Sequence, residues 1–347
     1  MQLDELRHAL RRHGAAPLHE ARILRQWLRA RPLHEGRTKA QHFLPLAVRE
    51  ALPALGRELQ ALATLREAHA AADGSQRLLV ALHDGQTVES VLLPKGGLCV
   101  STQVGCAVGC SFCMTGRGGL QRQLGSAEIV AQVVLARARR AVAKVVFMGM
   151  GEPAHNLEAV LEAIELLGTE GGIGHKNLVF STVGDRRVFD ALPRGRVKPA
   201  LALSLHSTRA ELRERLLPKA PRITPAELVA LGDAYARATG YPMQVQWTLL
   251  AGINDGDDEV EALVPLLRGR HAMLNLIPYN AVEGLSFARP SAERAWAMAR
   301  ALNRRGVLTR LRQSAAQDVE GGCGQLRART RPSFVVNAAV QSPSSAS

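Results

Sequence analysis

Cys106, Cys110 and Cys113 stand in the run Cys-Ala-Val-Gly-Cys-Ser-Phe-Cys, a C-x3-C-x2-C spacing. Three thiols so close together can wrap one corner of an iron–sulfur cube and ligate three of its irons. The fourth iron is then left without a protein ligand. An open iron can chelate the amino and carboxylate groups of S-adenosylmethionine (SAM) and pass it an electron, which releases a 5′-deoxyadenosyl radical. A [4Fe–4S] cluster and SAM are therefore the expected cofactors. Gly105, Gly109 and Gly116 would let the loop fold closely around the cluster. Zinc is the competing metal, but it normally wants four protein ligands, often in paired short Cys spacings, and no second pair follows here. Cys99 would be an awkward fourth ligand from inside a strand. Chance clustering is the remaining explanation.

Polar residues recur where apolar runs end. GMGEP (149–153) follows the run KVVFM and resembles the Gly-Gly-Glu feature at the end of the second strand in radical SAM proteins, which implies that Gly151 and Glu152 face the amino group of SAM. Ser181 closes NLVFST, Ser204-Leu205-His206 closes ALALSLH, and Asn280 closes MLNLIPYN. Each is expected to contact SAM. The alternatives are a plain strand-to-helix turn at 149–153 and capping of neighbouring helices by the others.

These residues need elements to hold them. Residues 1 to about 72 carry apolar residues at three-to-four spacing, punctuated by Pro17, Pro32 and Pro53, and read as a helical unit. Residues 76–93 change to two β-rich runs joined by Asp84-Gly85, a hairpin signal. From residue 98 strand and helix alternate. Strands are expected at 98–102, 144–149, 177–182, 200–206, 243–250 and 273–280, with a further one at 306–313. Ser126 and Thr224 look like helix N-caps. Six βα units imply an α/β fold with a parallel sheet, open or partly closed into a barrel, with function at the C-terminal strand ends. The expected domains are a helical accessory unit (1–75), a β-hairpin connector (76–97), a catalytic domain (98–330) and a disordered Ser-rich tail (331–347).

Composition narrows the partners. The chain of 347 residues carries 44 Lys and Arg against 31 Asp and Glu, a formal net charge of +13. Arg dominates, and its planar fork suits phosphate; an ordinary Arg-rich surface would give the same balance. Aromatic residues make up only 4%, so extended base-stacking platforms are not expected. No apolar run reaches the roughly 18 residues of a membrane helix, and the N-terminus has no apolar signal core. A cytoplasmic protein with no membrane association is expected. Five cysteines in such a chain argue against a disulfide framework.

LCVSTQVGCAVGCSFCMTG, FMGMGEP, LSLH, NLIPYN and GGCGQL together resemble the RlmN/Cfr family of radical SAM RNA methyltransferases, with the RlmN branch the closer match. The resemblance runs from the N-terminal helical unit to about residue 330. It implies a radical-SAM partial (βα)6 barrel with the small helical domain docking RNA. It implies two SAM molecules per turnover: one methylates a cysteine by polar transfer, and the other supplies the radical that activates this methyl group toward an adenine ring carbon. By motif position Cys323 is the methyl carrier, Cys99 is the resolving cysteine that releases product as a disulfide, and Glu89 is the proton acceptor. Taken alone, Cys323 reads as a buried structural thiol and Glu89 as a solvent-facing strand residue. With the family in view, Gly321, Gly322 and Gly324 suit a mobile loop around Cys323. The implied substrate is an adenosine of 23S rRNA, and for the RlmN branch also of tRNA. A flavodoxin-type electron donor and a monomeric state are expected.

Three stretches depart from the family pattern: LRQSAAQDVE before Cys323, RLLPKAPRITPAELV, and Gln123 where Asn is typical. They bear on the RNA target, for which methylation of carbon 8, as by Cfr, or of another RNA adenosine is the alternative. A zinc-stabilised RNA-binding module is the alternative of a different class.

Overall fold

The structure is a computed structural model and describes residues 1–328; the expected disordered tail lies outside the described residues. Helices α1 (Leu3–Arg12), α2 (Pro17–Leu28) and α3 (Leu46–Ala61) form the N-terminal unit. α1 buries Leu3, Leu6 and Leu10 on one face. Pro53 was expected to punctuate this region, yet α3 runs through it. Proline removes only one N–H from a helix, and the buried stripe Val48, Leu52, Leu55 and Leu59 holds the turns on either side together.

The expected helical run to residue 72 is corrected in its last part. Ala63–Ala70 is strand β1, paired antiparallel with β2 (Gln76–Leu82), which pairs with β3 (Thr87–Leu92). Its residues alternate between exposed and half-buried. Tertiary pairing overrides the helix preference of Leu, Arg, Glu and Ala here. The hairpin is part of the main sheet: β3 pairs antiparallel with β4 (Gly97–Cys99).

After β4 come the short ribbon β5 (Gln103–Gly105) and β6 (Leu120–Gln123), then α4 (Ser126–Arg137), β7 (Lys144–Phe147), α5 (Leu157–Gly168), β8 (Leu178–Thr182), α6 (Arg186–Ala191), β9 (Ala200–Ser204), α7 (Ala210–Leu216), α8 (Pro225–Thr239), β10 (Met243–Leu249), α9 (Asp257–Leu267), β11 (Ala272–Pro278), α10 (Ala292–Arg304) and β12 (Thr309–Leu311). The main sheet has the order β1-β2-β3-β4-β7-β8-β9-β10-β11-β12, and β4 through β12 are parallel. This is the expected α/β radical-SAM architecture, an open sheet of βα units.

Along the parallel strands two residue sets alternate. Val145, Phe147, Leu178, Phe180, Leu201, Leu203, Val245, Trp247, Leu274 and Leu276 belong to the main core. Val146, Met148, Val179, Ala200 and Ala202 form a separate cluster on the inner face.

Thr224 caps α8, its hydroxyl accepting from Glu227 N at 3.2 Å. Ser126 does not cap α4; it is the first helical residue. The Glu128 carboxylate instead accepts from Gly125 N at 2.7 Å. The Ser126 hydroxyl accepts from Leu3 N at 2.8 Å and so ties α1 to α4. Among the described residues no helix is long and apolar enough to cross a membrane.

The segment 312–328 leaves β12 and crosses to the far edge of the sheet. Ala316 N donates to Asp73 Oδ2 at 3.1 Å, and Ala72 N donates to Asp318 Oδ2 at 2.8 Å. This strap carries Cys323.

Candidate active site

Ribbon β5–β6 closes the base of the loop that carries Cys106, Cys110 and Cys113. Gly105 sits at φ +77°, and a Cβ there would lie 2.0 Å from Gly119 O. Cys106 N donates to Gly119 O at 3.0 Å, which begins the loop. Gly109 and Gly116 then touch: a Cβ on Gly116 would lie 2.8 Å from Gly109 Cα. The loop is pinned from outside as well. Ser111 N donates to Leu216 O at 2.9 Å, Lys219 N to Val108 O at 3.2 Å, and Met114 N to Gly324 O at 2.8 Å.

Burial pushes all three thiols up: Cys106 to about 12, Cys110 well above its ordinary value, and Cys113 likewise raised. Thiolates in such a place need a cationic partner, which iron supplies. Among the described residues no three His, Cys, Asp or Glu side chains gather about one metal ion. Three thiols on one loop are the donor set that a cube uses, one thiolate to each of three irons. The donor set and the glycine cradle therefore fit a cluster.

Gly151 and Glu152 lie beside this loop. Gly151 has φ +107°, and a Cβ there would meet the Gln103 side chain at 2.7 Å. Gln103 Oε1 accepts from Glu152 N at 2.7 Å. The Glu152 carboxylate accepts from Ala154 N (3.2 Å) and Val183 N (3.0 Å). Burial raises its pKa to about 7, opposed by the Thr182 hydroxyl. Its charge is felt by Cys106 and Cys110.

Ser181 is buried and Ser204 half-buried at neighbouring strand ends. Leu205 sends its side chain into the main core, so only its backbone is available to a ligand. His206 has φ +64° and stacks edge-on against Phe112 of the cysteine loop, with ring centroids 5.0 Å apart. Its Nδ1 accepts from Thr248 N at 2.9 Å. Burial, and then the nearby Arg213, depress its pKa to about 3, so the ring is neutral with its proton on Nε2. Asn280 reaches the strap: Nδ2 donates to Ser314 Oγ at 2.8 Å and to Cys323 O at 3.0 Å, while Oδ1 is buried without a partner.

Cys99 and Cys323, far apart in sequence, come close enough for their charges to repel. Burial and then that repulsion push Cys99 up to about 12. Cys323 is exposed yet walled by protein, and its thiol is raised by loss of hydration, opposed by Ser314, with Cys113 raising it further. Glu89 is not solvent-facing. It is fully buried, forms an ion pair with Arg77, and accepts from Arg327 N of the strap at 2.8 Å. The strap around Cys323 is also better tethered than its glycines suggest, through Asn280, Met114, Glu89 and Thr115, whose hydroxyl donates to Leu326 O at 2.6 Å.

Arg213 escaped the sequence reading. It is buried on α7 and donates to Val183 O and Ser204 O, joining the ends of β8 and β9. Burial lowers its pKa to about 10, opposed by Cys110 and Glu152. The signal was present: in ELRERLL, Arg213 lies beside the buried pair Leu212 and Leu216.

Residues 100–264 match the model of the radical SAM superfamily. A probable RNA methyltransferase of Methylibium petroleiphilum is 72% identical over 95% of this chain and 93% of its own length. Another, of Pseudomonas aeruginosa, is 65% identical over 95% and 96%. The crystal structure of a radical SAM methyltransferase from Sphaerobacter thermophilus superposes with a TM-score of 0.81 at 35% identity, covering 95% of this chain and 98% of that one. With the cysteine loop, the strand-end groups and the open βα sheet in place, the chain belongs to the radical SAM superfamily and, within it, to this family of RNA methyltransferases.

Proposed function

We propose that this protein methylates a ring carbon of adenosine in RNA by the RlmN/Cfr relay, with carbon 2 of an adenosine in 23S rRNA, and also in tRNA, as the target. The observation that carries the reading is the strap that seats Cys323 against the cysteine loop, Met114 N donating to Gly324 O at 2.8 Å, where the charge of Cys323 is also felt by Cys99. A relay needs two thiols that can exchange at sulfur, and such proximity serves no purpose in a simple polar methyl transfer.

Cys106, Cys110 and Cys113 would hold the [4Fe–4S] cluster, which when bound supplies the electron that cleaves SAM. Gly151, Glu152, Ser181, Ser204, Leu205, His206 and Asn280 would hold SAM, Leu205 through its backbone. Cys323 would be the residue that takes a methyl group from a first SAM and from which that methyl group would lose a hydrogen to the radical that a second SAM supplies. The carbon then bonds to the adenine ring. Glu89 takes the proton, in keeping with its contact to the strap four residues past Cys323. Cys99 would attack the Cys323 sulfur as a thiolate, the released carbon would take up a proton to become the methyl group, the surplus electron of the ring adduct would return to the oxidised cluster, and the disulfide would be reduced for the next turnover. A flavodoxin-type donor would supply electrons to the monomer.

Mass spectrometry of modified adenosines in rRNA and tRNA, from cells with and without the protein, tests the reading. A 2-methyladenosine present only with the protein is the expected result, and 8-methyladenosine would reassign the carbon. Cys323→Ala should abolish the product, and Cys99→Ala should leave protein trapped on RNA. Full activity of Cys323→Ala would sink the relay. Bound zinc without iron after anaerobic reconstitution would favour a structural RNA-binding module.

A further inference from the structure

The inner face of the sheet carries a polar row of which only Ser204 has been given a role. Strand register aligns Ser204 of β9 with Gln246 of β10, Gln246 with Asn275 of β11, and Asn275 with Arg310 of β12. In-register neighbours of parallel strands share one face, so these side chains lie side by side. Their neighbours on the opposite face, Leu203, Val245, Trp247, Leu274 and Leu276, belong to the helix-covered core.

Polar groups buried in a protein are normally hydrogen-bonded. Asn275 is only 2% exposed, yet its Oδ1 has no hydrogen-bond partner. Gln246 is 7% exposed, and no hydrogen bond ties its side chain to the described residues. Arg310 is exposed at the open end of the row and makes no ion pair among the described residues. Such a row costs stability unless something completes it.

Its place says what would. One end is Ser204, at the strand end next to His206. The other leads through Arg312, whose charge is felt by Cys323. On the same face, nearer the starts of β8 and β9, lie the small residues Ala200, Ala202 and Val179. A flat ring with a donor and an acceptor on one edge suits such a face, its edge meeting the amides. A carboxamide matches adenine in this way, its oxygen accepting from N6 and its nitrogen donating to N7. A guanidinium at the rim matches phosphate.

We propose that Asn275, with Gln246 beside it, grips the N6/N7 edge of the target adenine and that Arg310 takes that nucleotide's phosphate. The seat rests on the RNA methyltransferase reading and deepens it. A base held by N6 and N7 has carbon 8 covered and carbon 2 free to face Cys323. Selection of adenine then comes from the sheet itself, since a guanine presents O6, an acceptor, where adenine presents a donor.

The test uses the reconstituted full-length enzyme and RNA substrates carrying adenosine or 7-deazaadenosine at the target. Wild-type kcat/KM should fall at least about tenfold on removal of N7. Asn275→Leu should lower methylation of the adenosine substrate at least about tenfold relative to methyl loading of Cys323, and should no longer distinguish the two RNAs. Its Tm should hold or rise, because an apolar isostere relieves the orphaned carbonyl. Gln246→Leu gives the same pattern if Asn275→Leu fails to fold. The seat is overturned if the variants keep the wild-type preference, or if RNA methylation and Cys323 loading fall together, which would mark these amides as structural. A wild-type enzyme that methylates no RNA at all would bring down both the seat and the reading beneath it.

Discussion

At His206 a single side chain carries two demands. Its backbone lies in the left-handed region, and its Nδ1 must stay unprotonated to accept from Thr248 N. Burial, with the Arg213 charge added, enforces the neutral ring by moving the pKa from 6.5 to about 3. Above pH 6.5 the ring is neutral in folded and unfolded chains alike. As the pH falls below that, the unfolded chain binds a proton that the folded protein refuses until about pH 3. Stability is therefore lost as the pH falls through this window, at about 1.4 kcal/mol per unit. Urea denaturation of the cluster-free protein should show wild type losing about 2 kcal/mol more than His206→Asn between about pH 6.5 and about pH 5. Equal losses would mean that the ring protonates freely in the fold. The raised thiols follow the same logic: Cys106, Cys110 and Cys113 stay neutral until a cation gives their charge a partner.

Among the elements, the strap decides where Cys323 can be. Gly324 O accepts from Met114 N, next to Cys113, so strap and cysteine loop share a hydrogen bond. Asn280 holds the Cys323 carbonyl from β11's end, and Glu89 holds Arg327 N from β3. These anchors come from the cysteine loop and from two strands of the sheet, so the strap reports on all of them. Gly322 is the tight point: a Cβ there would lie 2.8 Å from Asn280 Nδ2 and 2.7 Å from Gln325 Oε1. Both neighbours are side-chain ends that can yield, so Gly322→Ala should fold at a cost of about 1 kcal/mol. It should nevertheless push Asn280 off the Cys323 carbonyl. Hydrogen exchange should then rise across 321–326 while the cysteine loop keeps its protection. Unchanged exchange in the strap would show that Asn280 does not hold it.

At the scale of the molecule, the two sheet edges do not pair among the described residues, and the strap spans them. The N-terminal helices dock on the outside: Arg137 of α4 donates to Leu28 O at 2.9 Å and to Gly171 O at 2.9 Å, and Arg25 pairs with Glu170 at 2.7 Å. They belong to the layer behind the sheet, and any RNA they hold must also reach the strand ends. The net charge of +13 favours that contact through phosphate. If about six phosphates of a single-stranded region are met, affinity should fall roughly 300-fold between about 50 and about 200 mM salt. Filter binding across that range checks it, and a flat profile would remove phosphate contact as the main attraction.

The sequence by itself determined what near neighbours encode. The C-x3-C-x2-C spacing specifies the cysteine loop, and alternation of apolar runs specifies the βα series, because hydrophobic period and turn chemistry act within a few residues. Strand ends were legible for the same reason, which is how Glu152, Ser204 and His206 came to be marked. Tertiary structure alone decided the rest. Glu89 reads as a surface acid until Arg77 and the strap bury it. Residues 63–70 read as helix until β2 supplies a partner for their backbone. Gln246 and Asn275 are ordinary strand residues until register places them abreast on the open face. Cys99 and Cys323 each need the other thiol, and only a sheet that ends in a strap across its own edges brings the two together.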